Sequence, residues 1–306
     1  MTKDFFLETY LAGDGYRWQL RRYPPAGTAR AHVVCLHGIQ SHGGWYEYGC
    51  QRLAEAGFAV WFLDRRGSGL NQEARGDAPS FRRLLDDVAE FLRDFQGVRT
   101  NPSLPIPRSP IPLFLVAISW GGKLAVALQR RHPGLVDGLA LLCPGFFPRV
   151  RPTPRQRLAV LWSRLTAPGR LFPLPLNDPE LFTATPRWQR FLRDDPLALH
   201  QATARFLVES VRLDGYLRWA PRHVRVPVLL QLAGRDRIID NARTRAFVGR
   251  FAAATEVIEY PEAHHTLEFE PDPGPFLGDL QAWLSETAES STATGFPPGE
   301  TGPRAL

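Results

Sequence analysis

The stretch Leu115-Val116-Ala117-Ile118-Ser119-Trp120-Gly121-Gly122 constrains this chain more than any other, because it reads as a strand entering a tight turn and leaving as a helix. Before it, Pro112 to Ala117 is an almost continuous apolar run of buried-strand length. After it, Lys123 to Arg131 repeats apolar residues at helical spacing until Pro133 ends the pattern. Ser119 sits at the tip of the turn with small residues, Ala117 and Gly121, two positions to either side. A nucleophile elbow requires this context, because strand and helix approach so closely that large flanking side chains would collide. Taken alone, the same residues also read as an ordinary helix N-cap, where serine is favoured.

The surrounding chain alternates short apolar runs with helical stretches, which predicts an α/β fold with parallel strands. Phe5 to Leu11 and Tyr16 to Tyr23 flank Gly13-Asp14-Gly15 and predict an opening antiparallel hairpin. Further strands are expected at Ala31 to Leu36, Phe58 to Leu63, Val136 to Cys143, Val226 to Ala233 and Glu256 to Tyr260. Helices are expected from about Trp45 to Ala56, Pro79 to Phe95 (with Ser80 as cap), Asn241 to Phe251 and Pro275 to Ser285. Asn101 to Pro110 reads as a proline-rich loop. From Phe146 to His223 the rhythm stops, and this segment is expected to be a helical insertion. Ala288 to Leu306 is rich in Ser, Thr, Gly and Pro and is expected to be disordered.

Strands of open α/β sheets present ligand-binding groups at their carboxyl ends. Four such ends carry chemistry: His37-Gly38-Ile39-Gln40-Ser41-His42, Ser119, Gly234-Arg235-Asp236, and Pro261-Glu262-Ala263-His264-His265. Ser119, Asp236 and His265 therefore follow one another in the order nucleophile, acid, histidine, each just past a separate strand. In acyl transfer Ser119 would attack the carbonyl, His265 would shuttle the proton and Asp236 would orient the imidazole. The N–H of Trp120, at the positive end of a helix, would face the developing oxyanion. His264 competes with its neighbour, and Asp240 competes with Asp236 or caps the helix from Asn241.

On these residues the chain resembles the α/β-hydrolase superfamily, and within it the monoacylglycerol lipase and lysophospholipase branch, also called serine aminopeptidase-like. The resemblance runs from about residue 31 to 284 and includes Asp64-Arg65-Arg66-Gly67-Ser68-Gly69, Asp195-Pro196-Leu197 and His264-His265-Thr266-Leu267-Glu268. Two departures are Ala117, where a glycine is usual, and Asn71, where a serine is usual. The resemblance implies a mostly parallel eight-stranded sheet with an antiparallel N-terminal hairpin and flanking helices. Its core would comprise residues 1–145 and 224–287, with a helical cap at 146–223 and a disordered tail at 288–306. It also implies that the Ile39 N–H completes the oxyanion hole. From the residues themselves, His37 and His42 are expected to brace that loop, and no cofactor is expected, because no His/Cys/Asp/Glu cluster has metal spacing and Gly67-Ser68-Gly69 lacks the third glycine and helix of a dinucleotide fingerprint. The expected activity is hydrolysis of monoacylglycerol- or lysophospholipid-type esters through an acyl-enzyme. A peptidase or amidase of the same architecture, or a scaffold that only binds, are the alternatives.

Composition adds limits rather than identity. The formal net charge of +6 is concentrated between Arg149 and Arg222, where thirteen arginines face six acids. Such a basic insertion could meet an anionic membrane surface or a phosphate-bearing lipid. It could equally reflect a general preference for arginine, since Lys3 and Lys123 are the only lysines. No nucleic-acid-binding module is recognisable. Cys35, Cys50 and Cys143 have neither metal-ligand nor redox spacing and are expected to be buried free thiols of a cytoplasmic protein.

Overall fold

The apolar runs become strands buried on both faces. The computed structural model describes residues 5–97 and 111–293. Its main sheet contains β1 (Phe6–Leu11), β2 (Arg17–Tyr23), β3 (Ala31–Leu36), β4 (Phe58–Leu63), β5 (Leu113–Ile118), β6 (Gly138–Leu142), β9 (Val228–Ala233) and β10 (Thr255–Tyr260). Their order is β1-β2-β4-β3-β5-β6-β9-β10, with β1 and β2 antiparallel to their neighbours and the remaining six mutually parallel. Every residue of β4, β5 and β9 is buried, as expected of strands covered on both faces, whereas edge strand β10 is half-buried or exposed throughout.

After β3 the chain steps to β4 on one side and then returns to place β5 on the other. The carboxyl ends of β3 and β5 therefore flank a topological switch point, where open α/β sheets form their binding crevice. Helices α1 (Glu47–Glu55) and α8 (Gly274–Ala293) pack together, as do α2 (Phe81–Phe95) and α3 (Gly121–Arg131). Ser80 caps α2 by accepting from the Arg83 N–H, and the helix buries Phe81, Leu84, Leu85, Val88, Phe91, Leu92 and Phe95, its expected apolar stripe. Phe91 packs edge-on against Tyr10 of the hairpin, with ring centroids 5.1 Å apart.

Between β6 and β9 lie α4 (Pro154–Thr166), α5 (Pro186–Asp194) and α6 (Ala204–Leu217), and the core resumes with α7 (Asn241–Val248) after β9. The insertion is not wholly helical. Strands β7 (Leu171–Pro173) and β8 (Gln201–Thr203) form a small antiparallel pair. Three residues are too few for a period-two pattern to show in a sequence. The expected tail is corrected at its start, because α8 continues through Ala293. There Ser290 and Ser291 donate their hydroxyls to the carbonyls of Glu286 and Thr287. The remainder of that tail and the loop at Asn101 to Pro110 lie outside the described residues.

Gly121 sets how closely α3 approaches the sheet. A Cβ there would lie 2.8 Å from the carbonyl oxygens of both Leu36 and His37, at the end of β3. Backbone oxygens cannot swing aside as a flexible side chain can. Gly121→Ala is therefore expected to destabilise the fold by ~1–3 kcal/mol, read as a lower urea midpoint with an unchanged slope.

Candidate active site

Ser119 adopts φ +51°, in the left-handed region that non-glycine residues rarely enter. Such a conformation costs on the order of 1–3 kcal/mol and needs surroundings that enforce it. Here the Ser119 N–H donates to Leu142 O at 2.9 Å, and its carbonyl accepts from the N–H groups of Gly122 and Gly145 at 3.0 and 2.8 Å. The turn lifts the side chain out of the sheet, leaving Ser119 half-buried between buried neighbours Ile118 and Trp120. Ala117 is fully buried in β5 between Leu36 and Leu141, so its extra methyl is accommodated.

Ser119, Asp236 and His265 come together from three strand ends. His265 Nδ1 lies 2.7 Å from Asp236 Oδ2, and His265 Nε2 lies 2.9 Å from Ser119 Oγ. An ionised Asp236 can only accept, so Nδ1 carries the proton and Nε2 is free to accept from the Ser119 hydroxyl. The other Asp236 oxygen accepts from the N–H groups of Ile238 and Ile239, which locks the carboxylate. His264 turns away, its backbone N–H and Nδ1 both directed at Glu270 Oε1. Asp240 accepts from the Arg243 N–H and caps α7. Geometry thus separates both competing pairs.

The loop after β3 forms the facing wall. Its Ile39 N–H and the Trp120 N–H have no protein acceptor among the described residues, whereas the intervening Gly38 N–H donates to Ser41 Oγ at 2.9 Å. His37 braces this loop as expected: Nε2 accepts from the Arg65 N–H, so Nδ1 donates to Gly38 O at 2.7 Å. Burial pushes the His37 pKa down to about 3, keeping the ring neutral. Arg65 contributes a role that its motif alone did not reveal. Its guanidinium donates to Gly38 O and Ile39 O, both at 3.2 Å, and lies over the Trp120 and Phe206 rings. One buried cation therefore holds both candidate oxyanion donors in place. Its position, immediately after an apolar strand and its terminal aspartate, was the available signal.

The insertion is fastened to the same loop. Gly44 N–H donates to His42 Nδ1, so His42 Nε2 donates to Asp195 Oδ2 at 2.9 Å, and Trp45 Nε1 donates to that oxygen at 2.6 Å. Burial opposes ionisation of Asp195, but the His42 and Trp45 hydrogen bonds outweigh it and hold the carboxyl below its usual range. The Leu199 N–H donates to Gln40 O at 2.8 Å. Departing residue Asn71 ties the turn after β4 to β2, donating to Asp64 O and accepting from the Gln19 N–H.

A hollow of about 280 Å³ opens at Ser119 and His265, walled by Ile39, Tyr46, Leu176 and Phe182. A second, of about 230 Å³, shares Gln40, Trp45, Leu176 and Phe182 with the first and continues beneath the insertion to Leu192. Another hollow, of about 460 Å³, lies behind His265 between α1, α8 and the sheet, and Ser119 does not line it. Of these three hollows, the one at Ser119 is lined by both the serine and the histidine. Cys143 Sγ, Asp236 and His265 offer donor atoms within 4.8 Å of one another, a grouping invisible in sequence spacing. Burial and then the Asp236 charge push the Cys143 thiol well up. Within this trio the Asp236 carboxylate and His265 Nδ1 are already joined in a hydrogen bond.

Glu268 lines the large hollow, accepting from the Gly49 N–H at 2.7 Å, and burial raises its pKa to about 7. In the unfolded chain the group titrates near 4.5. The folded state therefore binds the extra proton between these values, and the stabilisation present below 4.5 is lost as pH rises through 7. Glu268→Gln is expected to remove this loss, on the order of 3 kcal/mol. Urea unfolding of both proteins at about pH 5 and about pH 8 measures it, and the variant should gain stability relative to the parent only at the higher pH.

Comparison with known proteins places this geometry in a family. Lysophospholipase L2 of Escherichia coli K12 is 27% identical over 268 residues, covering 79% of this chain and 76% of that protein. Human monoglyceride lipase is 24% identical over 288 residues, covering 92% and 91%. Among solved structures, the monoacylglycerol lipase of Paleococcus ferrophilus superposes with a TM-score of 0.76 at 19% identity, covering 88% of this chain and 99% of that one. A soluble variant of Saccharomyces cerevisiae monoglyceride lipase, solved with a substrate analogue, gives 0.79 at 18% identity, covering 94% and 98%. Residues 27–272 match the hydrolase family described as Serine aminopeptidase, S33, and the chain belongs to that family within the α/β-hydrolase superfamily.

Proposed function

We propose that this chain is a cofactor-independent serine hydrolase of acyl esters with an apolar chain, of monoacylglycerol or lysophospholipid type. The observation that carries the reading is the hydrogen-bonded line Ser119 Oγ to His265 Nε2 and His265 Nδ1 to Asp236 Oδ2, opening on an apolar hollow. Ser119 Oγ attacks the ester carbonyl while His265 Nε2 takes its proton. The carbonyl oxygen becomes an oxyanion facing the N–H groups of Ile39 and Trp120, at the positive end of α3. His265 then returns the proton to the departing alcohol, leaving acyl-Ser119, and water activated by the same histidine releases the fatty acid.

The insertion serves as a cap, and the hollow running beneath it past Leu176, Phe182 and Leu192 receives the acyl chain. The named activities of the curated relatives, lysophospholipase and monoglyceride lipase, support the same substrate class. An aminopeptidase reading, which the family description invites, lacks support at the site. A free α-ammonium group needs an acidic partner, and neither hollow is lined by Asp or Glu among the described residues.

Exposing the parent protein and Ser119→Ala to a fluorophosphonate probe and a nitrophenyl ester series tests this directly. The parent should label and turn over, while the variant should not label and should lose about four orders of magnitude in rate. An unlabelled, folded parent would falsify the reading, as would preference for aminoacyl amides over monoacylglycerols and lysophospholipids. Arg65→Met should leave Ser119 able to label, more slowly, and lower kcat roughly ten- to a hundredfold through displacement of the Ile39 loop. Steady-state kinetics on a soluble ester separate this from any change in KM.

A further inference from the structure

The hollow beneath the insertion is walled by two kinds of side chain. Leu176, Phe182 and Leu192 make it apolar, but Gln40, Asn177 and His200 line it as well. Gln40 stands at the junction, because it also lines the hollow at Ser119. It directly follows Ile39, and its carbonyl accepts from the Leu199 N–H at 2.8 Å, which fixes it between the loop and the insertion. Its side-chain Nε2 donates to Asn177 Oδ1 at 3.1 Å. The residue is only 4% exposed, and its Oε1 has no hydrogen-bond partner among the described residues. Asn177 and His200 are exposed, so the hollow meets water at a polar rim.

A buried amide with one unpaired end penalises a plain hydrocarbon occupant. An acyl chain laid across Gln40 would displace water from that end and offer no partner in return. A longer saturated chain would also leave past Asn177 and His200 into water and lose the burial that favours it. A hydroxyl on the chain removes the first penalty. It can both donate and accept, so it pairs with the free end of the amide in either orientation of that group. Sites built to pair a substrate hydroxyl discriminate strongly against the analogue lacking it, because their own polar groups are then stranded.

We propose that Gln40 is a specificity-determining residue that selects acyl groups carrying a hydroxyl along the chain over unsubstituted ones. Leu176, Phe182 and Leu192 hold the methylenes while the Gln40 amide, steadied by Asn177, pairs with the hydroxyl. An ammonium group is a poorer occupant than a neutral hydroxyl, since neither hollow is lined by Asp or Glu among the described residues. The inference rests on the serine-hydrolase reading above and names which acyl group that site prefers.

Acid release from methyl octanoate and from the methyl hydroxyoctanoates, with the hydroxyl at each carbon from mid-chain to the end, tests it. For the full chain, kcat/KM should be about tenfold higher for at least one hydroxylated ester than for the plain one. Gln40→Leu should reverse that ratio, losing rate on the hydroxylated ester and gaining it on the plain one. Should that variant not fold, Asn177→Ala decides, because the residue is exposed and its loss releases the amide; the ratio should then fall roughly threefold. A parent that labels with a fluorophosphonate yet cleaves plain and hydroxylated esters equally would overturn this inference and leave the hydrolase reading standing. An unlabelled, folded parent would overturn both. A preference that survives in folded Gln40→Leu, or one that follows a hydroxyl on the alcohol side of a plain octanoyl ester, would also overturn the assignment to Gln40.

Discussion

The first turn of α3 rests on the carbonyls of Leu36, which ends β3, and of His37 just after it, and the candidate site depends on that approach. Only glycine at position 121 allows it. The same proximity brings the N-terminus of α3 beside the loop that leaves β3. Ser119, just before α3, sits in a left-handed turn whose strain is sustained by backbone hydrogen bonds to Leu142, Gly122 and Gly145. Strand order reverses at this point, which gives the crevice its opening.

Buried charge then fixes the loops around the crevice. Asp64 is wholly buried and accepts from the Gly43 N–H, the Leu70 N–H and Arg21, and burial is outweighed by these partners so that its carboxyl stays below the usual range. Its neighbour Arg65 spans to the carbonyls of the Ile39 loop. The insertion is held by equally polar links: His42 and Trp45 to Asp195, Trp120 Nε1 to Ser210 Oγ, and Lys123 to Asp214. Removing one member of such a set strands its partner away from water, so these groups specify where loop and insertion sit more than they add net stability.

Much of this was legible beforehand, for reasons that differ by element. Strands β3, β4, β5 and β9 are runs of apolar residues buried on both faces, and such runs have few other uses. The α2 stripe and its Ser80 cap follow from local rules. The insertion was harder. Strands β7 and β8 are three residues each and exist because their partner is about thirty residues away, information no short window holds. Helix α4 shows the same limit in reverse, since a stripe of Leu158, Leu161, Trp162 and Leu165 reads as a core face until the structure turns it outward. The C-terminal helix outran its expected end, and its serine hydroxyls return to its own carbonyls.

The residue types and order of Ser119, Asp236 and His265 were written in the chain, because the α/β rhythm places each past a strand. The following Thr266-Leu267 and the family pattern already favoured His265 over its neighbour His264, but the physical separation of the two was left to tertiary structure, since Glu270 draws one imidazole aside while Asp236 receives the other. So was the grouping of Cys143 with the histidine and aspartate, and the burial that lifts Glu268 to about 7. Hydrogen-bond direction, desolvation and the facing of a helix are properties of three-dimensional neighbours. Sequence supplies the groups and their order along the strands, and packing decides which of them meet.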